Sequence, residues 1–331
     1  MELTKNQERI FLDRYAQPGE RTVDEMWERV ARAVADDDKQ LYVFSELLSD
    51  FAYIPGGRIL SAMGSESSLT AMNCYVLPSP EDSRQGIMKS LSDWVEIQSK
   101  GGGVGINMSS LRPRGAPVKG VNGTSSGPVV WAQMFAYASK EVIQQGGSRR
   151  GAAMIMLDVD HPDIMEFIHA KETPGVLEGA NISVCISNTF MECVEKDLDW
   201  YTQWKGFMGK NVYPVYRARE IWDAICEAAW KSAEPGIYFM ERANDMANSW
   251  YFETFNATNP CAEQPLGPYG ACLLGSINLA SEKFWTGDYF NMTTLSNIVR
   301  AAVVFNDNII DKSSYPLEEC KESQQNIRRM G

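Results

Sequence analysis

Two textures of hydrophobic patterning divide the chain. Over residues 1–55 the apolar positions recur at helical spacing. Met26, Val30, Ala33 and Val34 share one side of a helix, and Thr22 with Glu25 forms a capping box at its start. A second helix is expected around Leu41–Phe51, ending before Pro55-Gly56-Gly57. Residues 1–60 therefore read as a small helical packing region.

From about residue 70 short apolar runs alternate with amphipathic helices. Strands are expected at Asn73–Leu77, after the glycine-rich turn Gly101–Gly105 into Asn107, and at Ala153–Val159, Asn181–Ser187 and Gly236–Met240. In the fourth of these, Ile182, Val184 and Ile186 face one way and Ser183, Cys185 and Ser187 the other. Helices are expected at Ile87–Ser99, Pro128–Gln145, Glu220–Ser232 and Leu295–Ile309. The third turns Ile221, Ala224, Ile225 and Ala228 inward. Strand–helix alternation of this kind predicts an α/β fold with mainly parallel strands. Residues 115–127 and 171–180 are the most loop-like stretches.

Composition narrows the function. With 331 residues and 44% hydrophobic content the chain can bury a large core, while a net charge of −12 argues against binding DNA or RNA non-specifically. No apolar run is long enough for a membrane span, and the N-terminus lacks the pattern of a signal peptide. Seven cysteines without regular spacing suit a reducing, cytoplasmic setting, in which a functional disulfide would be transient.

The segment from Asn256 to Leu279 carries the candidate chemistry. Its prolines and glycines exclude a long helix or a central strand. Asn259, Cys261 and Glu263 lie at i, i+2 and i+4, so an extended backbone would point all three the same way. A carboxylate beside a thiol suppresses the thiolate. The set therefore suits loss of a hydrogen atom from a neutral thiol better than ionic nucleophilic attack, and leaves Glu263 free to act as a base. Cys272 follows beyond a turn and is free to fold back to this site or to pair with a distant cysteine, of which Cys74 is the obvious candidate. Such a pair delivers two electrons on closing.

Simpler readings hold elsewhere. Cys185, Cys226, Cys193 and Cys320 read as structural, the last two in polar surroundings. His161, beside Asp160 and Asp163, opens a helix, and its spacing to His169 is not that of a metal-ligand pair. No metal site is expected. The Gly101–Gly105 run lacks the dinucleotide-binding spacing and reads as a turn allowing close backbone approach. Arg149-Arg150 divides evenly between a surface pair and a phosphate contact.

Asn259-Pro-Cys261-Ala-Glu263-Gln-Pro-Leu followed by Cys272-Leu-Leu-Gly-Ser-Ile-Asn-Leu resembles the finger loop of ribonucleotide reductase catalytic subunits, most of all those of the adenosylcobalamin-dependent class. Asn73-Cys74-Tyr-Val-Leu, Gly101–Asn107, Lys119–Pro128, Gln145–Ala152 and Asp160-His-Pro-Asp163 fit the same family in the same order. The resemblance runs from about residue 5 to the end.

The resemblance implies the first half of a ten-stranded α/β barrel, residues 61–331 with the finger loop at about 256–279, after the helical region. It implies that Cys261 becomes a thiyl radical and removes the ribose 3′-hydrogen. Glu263 takes the 3′-hydroxyl proton, Asn259 orients the sugar, and Cys74 with Cys272 supplies two electrons. Asn73 and Gly103 match substrate contacts. Asp82, Ser83 and Lys119 match the site of an allosteric effector, a deoxynucleoside triphosphate or ATP, and residues 171–180 match the segment relaying effector identity. Adenosylcobalamin is the implied cofactor. The implied partners are a ribonucleotide, a thioredoxin-like reductant and a polypeptide supplying the second half of the barrel, and a homodimer is compatible with the family. No overall-activity ATP domain is expected. The alternatives are a large subunit served by a separate radical-generating subunit, and a non-catalytic nucleotide-binding half-domain.

Overall fold

The computed structural model describes residues 3–142, 151–204 and 213–331. The chain opens with helices α1 (Lys5–Arg14), α2 (Val23–Val34) and α3 (Asp38–Leu48), then strand β1 (Tyr53–Pro55) and the short α4 (Gly57–Ala62). Thr22 and Glu25 close both hydrogen bonds of the expected capping box, and Met26, Val30, Ala31 and Val34 are buried. The second expected helix begins three residues earlier than the apolar spacing indicated, because Asp37 caps it.

The α/β region follows with β2 (Cys74–Val76), α5 (Arg84–Ser99), β3 (Gly103–Asn107), the hairpin β4 (Pro117–Val118) and β5 (Gly123–Thr124), α6 (Pro128–Tyr137), β6 (Ala153–Asp158), α7 (Ile164–His169) and β7 (Asn181–Cys185). It continues with α8 (Asn188–Glu195), the pair β8 (Asp199–Tyr201) and β9 (Val215–Arg217), α9 (Ala218–Ser232), β10 (Gly236–Tyr238) and α10 (Met240–Asp245). The helix expected over Pro128–Gln145 gives way after Tyr137 to a wider π-helical turn over Ala138–Val142, and its remainder lies outside the described residues, as do Arg149 and Arg150.

Five parallel strands stand in sequence order, β2, β3, β6, β7 and β10. This is the five-stranded arrangement expected of half a barrel. The last segments are β11 (Ala257–Thr258), β12 (Pro265–Leu266), β13 (Ala271–Cys272), β14 (Gly275–Ile277), the pair β15 (Trp285–Thr286) and β16 (Tyr289–Phe290), α11 (Met292–Lys312) and α12 (Glu318–Ile327). Strand β13 adds antiparallel to the free side of β2 as the sixth strand.

Both faces of the sheet are covered, as parallel sheets require. On the outer face Tyr75, Val104, Ile106, Ile155, Ile182 and Val184 pack with Trp94, Phe135, Phe167 and Ile221 from the helices. On the inner face Val76, Met154, Met156 and Cys185 pack against Ala257 and Leu266 of the β11–β12 hairpin. The alternation expected for β7 is thus real, and its second face is buried, with Cys185 beneath the hairpin. The N-terminal helices share the outer core: α11 packs on α2 and α3, Phe305 meets Phe44 edge-on at 5.2 Å, and Tyr53 donates to Asn306 Oδ1 at 2.8 Å.

Candidate active site

The hairpin β11–β12 lies across the inner face and turns at Asn259–Gln264. The Asn259 N–H donates to Gln264 O at 3.1 Å and the Ala262 N–H to Asn259 O at 3.0 Å, with Ala262 at φ 63°. The tip is therefore a tight turn, not the extended segment that would align residues 259, 261 and 263. The turn brings the ends of the set together and raises its middle. Asn259 is buried, accepts from the Gln264 N–H at 2.9 Å, and donates through Nδ2 to Glu263 Oε2 at 2.5 Å and to Cys74 Sγ at 3.1 Å. Cys261 stands exposed at the apex.

Cys74 and Cys272 are register partners across β2 and β13, and both are buried. Their thiols are hydrogen-bonded, and this bond, burial and the nearby Glu263 charge together hold the Cys272 pKa far above the usual thiol range. Cys272 is thus held as a protonated thiol. The site offers an exposed thiol at the turn apex and, beside it, a carboxylate, an amide and a buried dithiol joined in one short hydrogen-bonded chain.

Glycines make room for the tip. A Cβ on Gly103 would lie 2.9 Å from the Pro260 ring, and one on Gly105 would lie 1.8 Å from the Thr258 carbonyl oxygen. Gly103 also donates its N–H to Asn73 O at 2.9 Å, and Asn73 donates its own N–H to Cys272 O at 3.1 Å, so both candidate substrate contacts border the dithiol. Asn73 Oδ1 is buried without a hydrogen-bond partner, beside Gly56.

A separate cavity lies between the start of α5 and the β4–β5 hairpin. Asp82, Ser83 and Lys119 line one open pocket of about 500 Å³ with Arg84, Arg112 and Trp131. Ser83 caps α5 by accepting from the Gly86 N–H at 2.9 Å. Arg112, which the sequence reading did not single out, binds Asp82 through Nε at 2.8 Å and donates to Pro117 O at 2.8 Å, tying the α5 start to the β4–β5 hairpin. Its one signal was its place in the glycine- and proline-bounded run before the hairpin. Residues 171–180 do not reach this lining. They pack on the far end of α6, where Lys140 Nζ pairs with Glu178 Oε2 at 2.8 Å.

The remaining readings divide. Both His161 ring nitrogens are engaged, by Leu111 O at 2.9 Å and the Asp163 N–H at 3.0 Å, and no cluster suited to a metal ion occurs among the described residues. Cys185 is buried on the inner face. Cys320, expected in polar surroundings, is instead fully buried, because α12 turns Cys320 and Gln324 inward at helical spacing. No described helix is long and apolar enough to cross a membrane.

Comparison with known proteins identifies the family. Residues 72–331 match the family description "Ribonucleotide reductase, barrel domain", and residues 1–68 match "Ribonucleotide reductase, all-alpha domain". A vitamin B12-dependent ribonucleoside-diphosphate reductase of Mycobacterium tuberculosis is 38% identical, over 99% of this chain and 48% of the relative. One from Thermoplasma acidophilum is also 38% identical, over 87% of this chain and 37% of the relative. The ribonucleoside-diphosphate reductase large chain of Cryptosporidium parvum is 28% identical, over 78% and 36%. The chain thus spans half or less of the length of these relatives. With residues 1–68 and 72–331 matched to its two domains, the chain belongs to the ribonucleotide reductase family.

Proposed function

We propose that this chain is the N-terminal part of an adenosylcobalamin-dependent reductase that converts ribonucleoside diphosphates to 2′-deoxyribonucleotides. The observation carrying this reading is the Asn259 amide, which touches both the Cys74 thiol and the Glu263 carboxylate while Cys272 lies directly opposite Cys74. The 38% identity to the two B12-dependent relatives above, against 28% to the large chain, favours cobalamin over a separate radical-generating subunit. Their names also favour the diphosphate as substrate.

Each residue then has a task. Cys261, as a thiyl radical, removes the 3′-hydrogen of the ribose. Glu263 takes the 3′-hydroxyl proton, and Asn259 holds the carboxylate toward the sugar. The 2′-hydroxyl leaves as water with a proton from the dithiol. Cys74 and Cys272 lose two electrons and two protons in all and close to a disulfide, while the hydrogen atom returns to the 3′ carbon and restores the thiyl radical. A neutral Cys272 suits this proton-donating role. Adenosylcobalamin, when bound, supplies the one-electron chemistry that takes a hydrogen atom from a thiol. The exposed Cys261 apex fits a bulky group reaching that sulfur.

The pocket of Asp82, Ser83 and Lys119 is the proposed seat of a deoxynucleoside triphosphate or ATP effector. Cations and the capped α5 start suit a triphosphate. A second five-stranded half, from further residues or a separate polypeptide, would cover the β10 edge and offer cover to the exposed Trp250, Tyr251 and Phe252, which follow α10 in sequence. A thioredoxin-like dithiol would reopen the disulfide, and a homodimer remains compatible.

The test uses the complete reductase containing this chain. Deoxyribonucleotide formation should depend on added adenosylcobalamin and vanish in Cys261→Ser. Product formation by Cys261→Ser at the wild-type rate would overturn the reading.

A further inference from the structure

Asn181 opens β7 on the inner face, in register with Met154 of β6, two strands away from Gly103. Its side-chain Nδ2 donates to the Pro260 carbonyl at 2.8 Å. On the opposite side, the Pro260 ring sits over Gly103, in space that a Cβ there would fill. Pro260 is thus gripped from two strands, by van der Waals contact on one side and a hydrogen bond on the other. The Asn181 backbone is itself anchored. The next amide, Ile182 N–H, donates to Glu234 Oε1 at 2.9 Å, and Glu234 is ion-paired with Lys171.

We propose that Asn181 is a positioning residue for the Cys261 thiol. The carbonyl it holds belongs to the Pro260–Cys261 peptide unit, which is planar and rigid. Fixing that oxygen fixes the plane in which the Cys261 nitrogen lies, so only rotations within Cys261 remain to place its sulfur. The bonds inside the turn, Asn259 N–H to Gln264 O and Ala262 N–H to Asn259 O, hold the loop closed but do not orient it against the sheet. The Asn259 side chain ties the tip to β2, and Asn181 ties it to β7, so the apex is braced from both flanks of the inner face. A hydrogen abstraction is sensitive to such bracing, since a misplacement of about 1 Å costs up to about 100-fold in rate.

The inference rests on the reading of Cys261 as the abstracting thiol, and the experiment separates the two. In the complete reductase, Asn181→Asp keeps the shape but removes the donor and sets a carboxylate against the carbonyl. Its kcat should fall at least about tenfold while KM stays within about twofold, as expected when alignment rather than binding is lost. Asn181→Gln, which keeps the amide donor, should recover a substantial part of kcat. Without any turnover, hydrogen exchange at the amides of Ala262 and Gln264 should quicken in Asn181→Asp, with the melting temperature unchanged because Asn181 lies at the surface. Wild-type kcat together with wild-type exchange in Asn181→Asp would overturn the positioning role and leave the function standing. A melting temperature lowered equally in Asn181→Asp and Asn181→Gln, with no kcat difference between them, would overturn it in favour of a purely structural role. Activity in Cys261→Ser would instead remove the premise.

Discussion

Cys74 and Cys272 stand opposite each other in an antiparallel pair, buried and hydrogen-bonded thiol to thiol. Directly opposed positions place Cβ atoms about 4.5–5.5 Å apart, close to what a disulfide needs. Mild oxidation should therefore link these two in preference to any pair involving Cys185, Cys193, Cys226 or Cys320. Peptide mapping after blocking free thiols checks this. In the complete reductase, Cys74→Ser or Cys272→Ser should abolish repeated turnover, by about 100-fold or more, while leaving nucleotide binding intact. Multiple turnovers by either variant with a dithiol reductant would contradict the electron-donor role.

Raised thiol pKa values couple stability to pH. Burial lifts Cys185 and Cys320, and the Cys74 bond with burial lifts Cys272. The folded protein keeps these protons after the unfolded chain, with thiols near 8.5, has begun to lose them. Their stabilising contribution is full below that value and is lost progressively as pH rises above it, at up to about 1.4 kcal/mol per pH unit for each thiol. The denaturation midpoint should drop between about pH 8.5 and 9.5. Cys320→Ala should shallow that slope, and an unchanged slope would show that Cys320 does not contribute.

Gly105→Ala tests whether the hairpin must lie against the sheet. The added methyl carbon would meet the Thr258 carbonyl oxygen at 1.8 Å, with backbone rather than a yielding side chain in the way. The hairpin must lift, and a stability loss of about 1–3 kcal/mol is expected with loss of reductase activity. Gly123→Ala is the matched control, since its nearest neighbour is 3.8 Å away. Equal midpoints in urea for the two variants would argue that the hairpin does not rest on β3.

Lys119 should matter to binding and not to folding. Its side chain lines the cavity beside the α5 start and is otherwise a surface cation. Lys119→Ala should weaken binding of dATP or another deoxynucleoside triphosphate about tenfold by calorimetry, equivalent to about 1.4 kcal/mol, with the melting temperature unchanged. Ser83→Ala, by removing a helix cap, should also cost about 1 kcal/mol of stability. Unaltered affinity in both variants would move the effector elsewhere.

Much of the fold was legible because its signals are local. The Thr22–Glu25 box, the helical spacing of Ile221, Ile225 and Ala228, and the apolar run at Ala153 each act within a few residues. The site was legible in its members but not in its geometry. Asn259, Cys261 and Glu263 suggested a shared face, yet Ala262 enters the left-handed region and bends the segment into a turn, a choice alanine does not announce. Cys74 stands out in the sequence as a candidate partner of Cys272, but the antiparallel β2–β13 pairing that sets the two opposite each other is long-range and no local pattern encodes it. Cys320 misled because its neighbours in sequence are polar, while the helix that carries it turns only every third or fourth residue inward. Arg112 was passed over because a salt bridge to Asp82 depends on where two loops meet.

The strand order has a consequence for synthesis on the ribosome. Strand β2 emerges early, yet its outer neighbour β13 lies roughly 200 residues later, so that edge stays vacant until nearly the whole described chain has been made. Throughout that interval Cys74 has no sulfur partner facing it. The facing thiol pair therefore comes into being only once β13 has been made, and a nascent chain that stalls short of the finger loop exposes Cys74 without it.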